Sequence, residues 1–291
     1  MIIPHSKALN AVNKTVHPGK VILAGAGPGD PDLITIKAVE ALRSADVVLT
    51  DRLVSEVILH RYAPVSAEVI YVGKECRKKV STPQEKINGL LVQYAQQGKT
   101  VVRLKGGDVS VFSNILDELQ VLMENGIHYE IIPGVTSALG AAAYAGIPLT
   151  ARGYSTALRF LTYYKSDVVS DRYWKELAAT SDTLVFYMSA ATIGSVVEKL
   201  ISFGISREIH LAVVEQATTC FQQIHTCNIY EFENKSGDKE LISPSLVIIG
   251  KVVVLHEQFK WLENSEQRQQ YFAPVANNNI YELSNPVKNV I

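Results

Sequence analysis

A glycine-rich segment, Gly25–Pro31 (GAGPGDP), follows a short apolar run and precedes a helical pattern. Glycine permits a tight turn and the close approach of a ligand, and the amides at the start of a helix favour anions. The internal proline and Asp30 distinguish the segment from the GxGxxG fingerprint of dinucleotide-binding proteins. By itself the segment is equally consistent with an ordinary turn between a strand and a helix.

A second glycine-containing segment, Lys105–Asp108 (KGGD), stands at the end of another apolar run. If that run is a strand of an open α/β sheet, the segment lies where such sheets bind their ligands. Two consecutive glycines expose backbone amides and carbonyls, and Asp108 can accept hydrogen bonds from an amine or a hydroxyl. An acid and a proline in place of a basic loop predict a cationic or amino-acid-like ligand rather than a nucleotide phosphate.

Charged residues that could transfer protons follow two further apolar runs. Asp51 and Arg52 follow one run, and Lys74 follows the next, in a basic stretch that ends at Lys79. On parallel strands these groups would share one edge of the sheet, where a carboxylate and an amine can exchange protons and the basic stretch can hold an acidic substrate. A surface ion pair and a solvated lysine-rich loop are the alternative. The 7 histidines lack the spacing of metal ligands, so we expect no metal site.

Alternating strands and helices must position these segments. In the first half, strands are predicted over residues 21–25, 46–50, 69–73, 100–105 and 129–133, with helices over 36–42, from 83, over 116–123 and after the last strand. Thr82, Pro83 and Glu85 predict a helix start, as N-cap, first helical residue and capping-box acceptor. This alternation indicates a parallel sheet.

A connector with proline and glycine, residues 146–154 (GIPLTARGY), divides the chain into two similar halves. We therefore predict an α/β fold with two α/β domains, over 19–146 and 147–262, between tails over 1–18 and 263–291. In the second domain, strands are predicted over 158–163, 183–187, 209–214, 221–227 and 246–249, and a helix over 193–201. The close spacing of these strands indicates mixed parallel and antiparallel pairing. We expect the C-terminal tail to be loose unless a partner orders it.

Composition favours a soluble globular protein over a disordered chain, since 47% of the residues are hydrophobic and 20% are charged. The net charge of −1 gives no overall attraction to nucleic acids or anionic membranes. The 3 cysteines lack the pairing of a disulfide framework or a zinc site. No stretch has the pattern of a signal peptide or a membrane span, so we expect a cytoplasmic protein.

Taken together, the motifs resemble those of the tetrapyrrole methylase family. The matching stretches lie between residues 19 and 260 and include GAGPGDP, DRLVS, YVGK, LKGGD, PGVTSALGAAAYAGIPLT, DTLVFYMS and SPSLVIIGKVV. The resemblance implies two α/β domains with a cleft between them for S-adenosylmethionine, and a homodimer. It also implies methylation of uroporphyrinogen III at two ring carbons, which gives precorrin-2 for siroheme or cobalamin biosynthesis and leaves S-adenosylhomocysteine.

The resemblance further implies roles for particular residues. Those at cofactor-contacting positions are Pro28, Gly106, Gly107, Asp108, Val111, Thr136, Ser137, Met188 and Ala217. Asp51 and Lys74 stand at the positions proposed for proton transfer, which the substituted pyrrole requires after it has been methylated. The cations expected to bind the carboxylates of the substrate are Arg52, Arg77, Lys78, Lys79 and Arg152.

The sequence departs from the family pattern after the GGD motif. Many members continue with PFIFGRGGEE, whereas this chain reads VSVFSNILDE, which puts Asn114 where an arginine is expected. The threonine-glycine-histidine expected in the second half is Thr162–Tyr164 (TYY), and Ala217 stands where glycine is common. Arg77, Lys78 or Lys79 could supply the missing positive charge.

Three alternatives stay open at this point. A later precorrin or cobalt-precorrin methyltransferase is compatible with the changed loop after GGD. A non-catalytic homologue that keeps the cofactor pocket would bind product without turnover, although the retention of Asp51, Arg52 and Lys74 argues against it. A nicotinamide-dependent dehydrogenase would need a true GxGxxG with an acid about 20 residues further on.

Overall fold

The computed structural model describes residues 19–72, 74–75, 80–164, 169–236 and 241–272. In chain order the first half contains β1 (Lys20–Gly25), α1 (Ile36–Arg43), β2 (Val47–Thr50), α2 (Glu56–Tyr62), β3 (Glu68–Tyr71), β4 (Lys74–Glu75), β5 (Val80–Ser81), α3 (Gln84–Gln96), β6 (Thr100–Lys105), α4 (Ile115–Glu124), β7 (His128–Ile132) and α5 (Ser137–Tyr144). A short 3-10 turn, Pro31–Leu33, lies between β1 and α1.

The first sheet is parallel throughout, with the strand order β3-β2-β6-β1-β7. Its five strands are the five that the sequence predicts. β4 and β5 form a separate antiparallel pair. Because the strands are parallel, the segments that follow β1, β2, β6 and β7 emerge at the same edge of the sheet, which we call the carboxyl edge.

The second half contains β8 (Leu158–Thr162), α6 (Asp171–Ala179), β9 (Thr183–Tyr187), α7 (Ile193–Ser202), β10 (His210–Glu215), β11 (Gln223–Asn228), α8 (Phe232–Ser236), β12 (Ser245–Gly250) and α9 (His256–Phe259). Further 3-10 turns lie at Ile229–Glu231 and Lys251–Leu255. The second sheet has the order β11-β10-β12-β9-β8. β8 and β9 are parallel and the other pairs are antiparallel, so the predicted mixed pairing is confirmed.

Both sheets are covered on both faces, which explains the continuous apolar runs of strands such as β1 and β12. Helix α5 lies against the face of the second sheet that carries Val185 and Val214, and it buries Ala138, Ala141 and Ala142 there. Small residues allow this helix to approach closely. A Cβ on Gly140 would lie 2.6 Å from Cγ of Pro28, so α5 also touches the glycine-rich segment after β1.

Local details differ from the predictions in three places. Helix α3 begins at Gln84 with Pro83 at the cap position and no side-chain cap, so the predicted capping by Thr82 and Glu85 was wrong. In α1 the helical spacing of Ile36, Val39 and Leu42 predicts an apolar face, but Ile36 is exposed and Ala38 is buried together with Leu42. The helices α2 and α6 were not predicted: α2 is only seven residues long, and the helical spacing of Trp174, Leu177 and Ala178 in α6 was overlooked.

The expectation of a loose C-terminal tail was wrong for its first residues. Asn264 donates to the carbonyl of Ile224 and accepts from its amide, and Ser265 donates its amide to Gln222 O. The packing extends to Phe272, whose side chain is buried. Among the described residues, no helix has the length and apolar character needed to cross a membrane.

Candidate active site at the carboxyl edge of the first sheet

The two glycine-containing segments meet at the carboxyl edge. Gly27 and Gly107 exchange a pair of backbone hydrogen bonds, of 3.1 Å from the Gly27 amide and 2.7 Å from the Gly107 amide. Both residues have positive φ values, of 83° and 70°, which glycine adopts without strain. The segments after β1 and β6 therefore form one joined unit rather than two independent turns.

A third loop, after β7, completes this unit at Gly134. A Cβ on Gly134 would lie 2.3 Å from the carbonyl oxygen of Gly107, and a Cβ on Gly25 would lie 2.6 Å from the same oxygen. No such contact is tolerable between a side chain and a backbone atom. The three loops pack backbone against backbone, and we call Gly25, Gly107 and Gly134 with their loops the glycine cradle.

Asp108 links two loops of the cradle by hydrogen bonds. Its Oδ1 accepts hydrogen bonds from the amide and the hydroxyl of Ser110, at 2.8 and 2.5 Å, and its Oδ2 accepts from the amide of Gly134 at 2.9 Å. Burial disfavours the ionised carboxylate, but these hydrogen bonds outweigh burial and hold the pKa of Asp108 below its usual value. Both oxygens are thus engaged by the chain itself.

The start of α5 faces the same region. The hydroxyl of Thr136, at the N-cap of α5, lies 2.7 Å from the hydroxyl of Tyr187, which also accepts from the amide of Ala138 at 3.1 Å. Burial raises the pKa of Tyr187, so its hydroxyl stays protonated at neutral pH. Ser137 lies next to Gly107, because a Cβ on that glycine would be 3.3 Å from Ser137 Oγ.

The second half contributes two left-handed turns to this region, of which the one after β10 contacts the cradle. Met188 follows β9 with a φ of 53°, and Ala217 follows β10 between Gln216 and Thr218, whose φ values are 48° and 66°. The Ala217 carbonyl oxygen would be 2.9 Å from a Cβ on Gly29, and Thr218 Oγ1 accepts from the amide of Asp30 at 2.9 Å. We call residues 216–218 the β10 turn.

The structure therefore brings most of the predicted cofactor residues together. Contacts within the cradle, α5 and the β10 turn connect Pro28, Gly107, Asp108, Thr136, Ser137 and Ala217. Val111 packs against the apolar core of the second sheet, and its neighbour Phe112 stacks on Tyr187 with ring centroids 5.0 Å apart. Met188 is 52% exposed and directly follows Tyr187. Gly106 lies against the carbonyl of Leu53, in the loop that carries Asp51.

Asp51 belongs to a charged network that the sequence analysis missed. Its Oδ1 lies 2.7 Å from Nη2 of Arg103, whose Nε lies 3.0 Å from Oε1 of Glu118. The other oxygen of Glu118 lies 3.0 Å from Nζ of Lys105. Arg103, Lys105 and Glu118 are buried, and Asp51 is the member that reaches the surface at the carboxyl edge.

Burial lowers the pKa of Lys105, and Arg103 lowers it further, although Glu118 opposes the shift. For Arg103, burial acts against the charge, but Asp51 and Glu118 raise its pKa. The network balances two acids and two bases, so no isolated charge is buried. A signal was available, because Arg103 and Lys105 alternate within an otherwise apolar strand and therefore share one face of a buried sheet.

The predicted substrate cations are placed less completely. Arg52 follows Asp51 at the carboxyl edge and is partly exposed. Lys74 begins β4, and its side chain, like Arg77, Lys78 and Lys79, lies outside the part of the chain that the structure describes in full. Arg152 is exposed in the turn closed by the Ala151–Ser155 bridge. Within the described residues no hydrogen bond or ion pair links Arg152 to the cradle.

Comparison with known proteins decides the family. The model of the tetrapyrrole (corrin/porphyrin) methylases matches residues 20–233, which contain both sheets up to β11. The chain belongs to the tetrapyrrole methylase family. This tetrapyrrole methylase is 44% identical over 251 residues to the siroheme synthase of Pseudomonas fluorescens (strain SBW25). That alignment covers 86% of the chain and 54% of the relative, so the chain spans about half the length of the curated relatives it matches.

Solved structures agree with this assignment. A uroporphyrin-III C-methyltransferase from Thermus thermophilus, complexed with S-adenyl homocysteine, matches with a TM-score of 0.68 and 36% identity, over 81% of this methylase and 100% of that chain. A cobalt precorrin-4 methyltransferase, CbiF, matches with a TM-score of 0.72 and 28% identity, over 80% of this methylase and 95% of that chain. The predicted family and fold class are confirmed.

Proposed function

We propose that the chain is an S-adenosylmethionine-dependent C-methyltransferase that methylates uroporphyrinogen III at two ring carbons to give precorrin-2. The observation that carries the proposal is the glycine cradle joined to α5 and the β10 turn, which gathers the residues that the family motifs assign to the cofactor. The 36% identity to the Thermus thermophilus enzyme along its whole chain supports the same activity.

The residues of the cradle suit the cofactor chemically. The polar groups in and around it are backbone amides and carbonyls, hydroxyls and one acid, and Lys105 is turned away into its ion pair with Glu118. Such a set favours a ligand with a cationic sulfonium and an amino acid moiety over one with phosphates. Bound there, the cofactor supplies an activated methyl group. The residues proposed to hold it are Pro28, Gly106, Gly107, Asp108, Val111, Thr136, Ser137, Met188 and Ala217.

The role of the remaining residues follows from the reaction. Transfer of a methyl group is an in-line displacement, so the protein acts by aligning the ring carbon with the methyl group and needs no covalent nucleophile. The methylated pyrrole must then lose a proton, and we assign that step to Asp51 with Lys74 as its partner. Arg103 fixes the position of the Asp51 carboxylate through Oδ1. Arg52, Arg77, Lys78, Lys79 and Arg152 are the cations proposed to bind the substrate carboxylates.

The activity is tested by anaerobic incubation of the protein with S-adenosylmethionine and enzymatically generated uroporphyrinogen III, followed by mass spectrometry of the tetrapyrroles. Two added methyl groups are expected. Asp51→Asn should lower the yield of methylated product by about a hundredfold or more, which is the range of general acid–base catalysis. Asp46→Asn is the matched control, since Asp46 precedes β2 at the opposite edge of the sheet and accepts from the amide of Thr100. Unmethylated substrate, where a reference methyltransferase succeeds, would reject the proposal.

A precorrin or cobalt-precorrin methyltransferase is the second candidate. It is supported by the fold similarity to the cobalt precorrin-4 methyltransferase and by the changed loop after GGD, in which Asn114 has a φ of 54° and stands at the N-cap position of α4 without a side-chain cap. The two candidates differ in substrate charge and shape. The protein is incubated with S-adenosylmethionine and both tetrapyrroles together, and mass spectrometry shows which one is methylated. Methylation of the cobalt-precorrin alone would replace the leading proposal.

We also propose that the protein is a cytoplasmic homodimer, as the family resemblance implies. Exposed apolar side chains on the outer surface of α5 support an interface with a second copy: Leu139 is exposed, and Trp261 covers the next turn of the helix by donating to Ala143 O at 2.8 Å. Light scattering coupled to gel filtration should give twice the mass of the chain. Fractionation of the source cells tests the location.

A further inference from the structure

A segment after α9 crosses the second sheet and reaches the first. It comprises residues 264–272, lies beyond the residues matched by the family model, and is called the C-terminal strap here. Its first residues are fixed on β11: Asn264 binds both backbone groups of Ile224, at 2.7 and 2.9 Å, and Gln223 donates to Ser265 O at 2.6 Å. The strap is therefore firmly attached before it approaches the candidate site.

The middle of the strap holds Gln216 at both ends of its amide. Gln216 Nε2 donates to Gln269 O at 2.7 Å, and Gln216 Oε1 accepts from the amide of Tyr271 at 2.7 Å. Gln216 is fully buried and has left-handed backbone dihedrals. A residue other than glycine adopts that conformation only when surrounding contacts stabilise it. The strap supplies that support through two hydrogen bonds.

Gln216 is the first residue of the β10 turn, and the last residue of that turn is held from the other side. Thr218 accepts from the amide of Asp30, in the glycine-rich segment, and donates its own amide to Gln222 at 2.7 Å. Ala217, which stands at a proposed cofactor position, thus lies between Gln216, which is bonded to the strap, and Thr218, which is bonded to the cradle. Loosening the strap would remove both hydrogen bonds of the Gln216 side chain.

The end of the strap reaches the loop that carries Asp51. The hydroxyl of Tyr271 lies 2.8 Å from Ser55 Oγ, which is buried and does not cap helix α2. Burial raises the pKa of Tyr271, so the hydroxyl remains available for this bond at neutral pH. The same loop contacts Gly106 through Leu53. Tyr271 therefore connects the β10 turn with a loop on the other side of the cradle.

We propose that the C-terminal strap sets the spacing between the β10 turn and the 51–55 loop, and that Tyr271 and Gln216 are positioning residues for the binding of S-adenosylmethionine. This inference rests on the proposed function, because it names what the same site binds. An adenosine-containing amino acid cofactor would contact Ala217 on one side and Gly106 on the other. The strap fixes the distance between these two contacts without touching the cofactor.

The decisive experiment is calorimetric titration of the full-length protein with S-adenosylhomocysteine. Tyr271→Phe and Ser55→Ala each remove one of the two hydroxyls whose hydrogen bond joins the strap to the loop. Each variant should weaken the affinity by about fivefold to tenfold, the equivalent of one hydrogen bond. The double variant should be no weaker than either single variant, because both changes break the same bond. Independent losses that multiply would overturn the proposal.

Tyr94→Phe is the matched control. Its hydroxyl donates to Glu68 at 2.8 Å, away from the strap, and its removal should leave the affinity unchanged. In turnover, the strap variants should raise the KM for S-adenosylmethionine more than they lower kcat. A fall in kcat with an unchanged KM would show that the strap does not act through cofactor binding, and would also overturn the proposal.

Amide hydrogen exchange of the unliganded protein tests the positioning role of the strap independently of the proposed function. The amides of residues 216–222 should exchange faster in Tyr271→Phe than in the wild type and in Tyr94→Phe. If the wild type bound no S-adenosylhomocysteine, the proposed function would be rejected, while faster exchange would still establish that the strap holds the turn. Equal exchange would reject the positioning role whatever the wild type binds.

Discussion

The loops at the carboxyl edge of the first sheet approach one another through glycine, whereas the β10 turn, which meets them from the second sheet, contains two residues with side chains in left-handed conformations. Gly25 and Gly134 leave no space for a Cβ, and Gly107 has a φ of 70°, which favours glycine. In the second half Met188 and Gln216 adopt positive φ values although they are not glycine, as Phe112 and Asn114 do in the loop after β6. In the first half the loops can touch because glycine has no side chain. In the second half the β10 turn is held by hydrogen bonds from residues far along the chain, those of the C-terminal strap.

The two halves also differ in what their interiors contain. The first sheet buries Arg103 and Lys105 against Glu118 of α4, while in the second half the buried carboxylate of Glu215 pairs with Arg268, whose side chain is 46% exposed. A buried charged network is stable only while all its members are present. In the first half, glycine allows the loops to pack closely, but removal of one charged residue of the network should destabilise the fold.

Glu118→Ala should have the largest effect on stability. It would leave Arg103 and Lys105 buried without their shared carboxylate, and such a loss costs about 3–5 kcal/mol. Denaturant unfolding measures it. Glu208→Ala is the control, because Glu208 forms an exposed pair with Lys251 and its removal should leave the unfolding midpoint nearly unchanged. Equal results for the two variants would contradict the stabilising role assigned to the buried network.

Gly134→Ala should come next. Its Cβ would lie 2.3 Å from Gly107 O, so the cradle must open, at a cost of about 3 kcal/mol together with loss of cofactor binding. Gly89→Ala is matched in chemistry but has nothing within 4 Å, and in helix α3 it should stabilise by about 0.5–1 kcal/mol. Thermal unfolding and calorimetry check both. A tolerated alanine at 134 would contradict the close backbone packing described here.

Asp108→Asn tests the electrostatic part of the cradle. An amide cannot accept all the hydrogen bonds from Ser110 and Gly134, so the variant should lose about 1–2 kcal/mol at neutral pH. In the wild type the folded pKa of Asp108 lies below the usual value of 3.8. Its contribution is therefore fully present above that value and is lost as the pH falls through the folded pKa. Below that range the difference in unfolding free energy between variant and wild type should shrink; a constant difference would contradict the assignment.

Met188→Gly should have the smallest effect on stability, below about 1 kcal/mol, because relief of the left-handed backbone offsets the greater freedom of glycine in the unfolded chain. Met123→Gly is the control at a similarly exposed position within helix α4, where glycine should lose up to about 1 kcal/mol. Denaturant unfolding compares the two. A larger loss at 188 than at 123 would show that the Met188 turn is held by its side chain.

The sequence predicts the parallel sheet and the positions of the glycine-rich loops because buried strands such as β1 read as continuous apolar runs that end in glycine. The mixed pairing of the second sheet also follows, from strands too closely spaced for helical crossovers. In both cases a local pattern is enough, since neighbours along the chain determine the structure.

The charged network and the strap could not be predicted in the same way. Arg103 and Glu118 are 15 residues apart, and an alternating charged strand reads equally well as a solvent-facing one until α4 is placed against it. The strap has the polar composition of a loose tail. Its order comes from Gln216, which precedes its bonding partners by more than 50 residues, so only the folded chain reveals it.

The attachment of Asn264 to β11 has a consequence for solubility. β11 is the outermost strand of the second sheet, and the backbone groups of Ile224 would otherwise point outward. Unpaired edges of this kind recruit strands from other molecules and start aggregation. By occupying both groups with one side-chain amide, Asn264 closes part of that edge without extending the sheet. The same residue that begins the strap thus helps the protein to remain dispersed at high concentration.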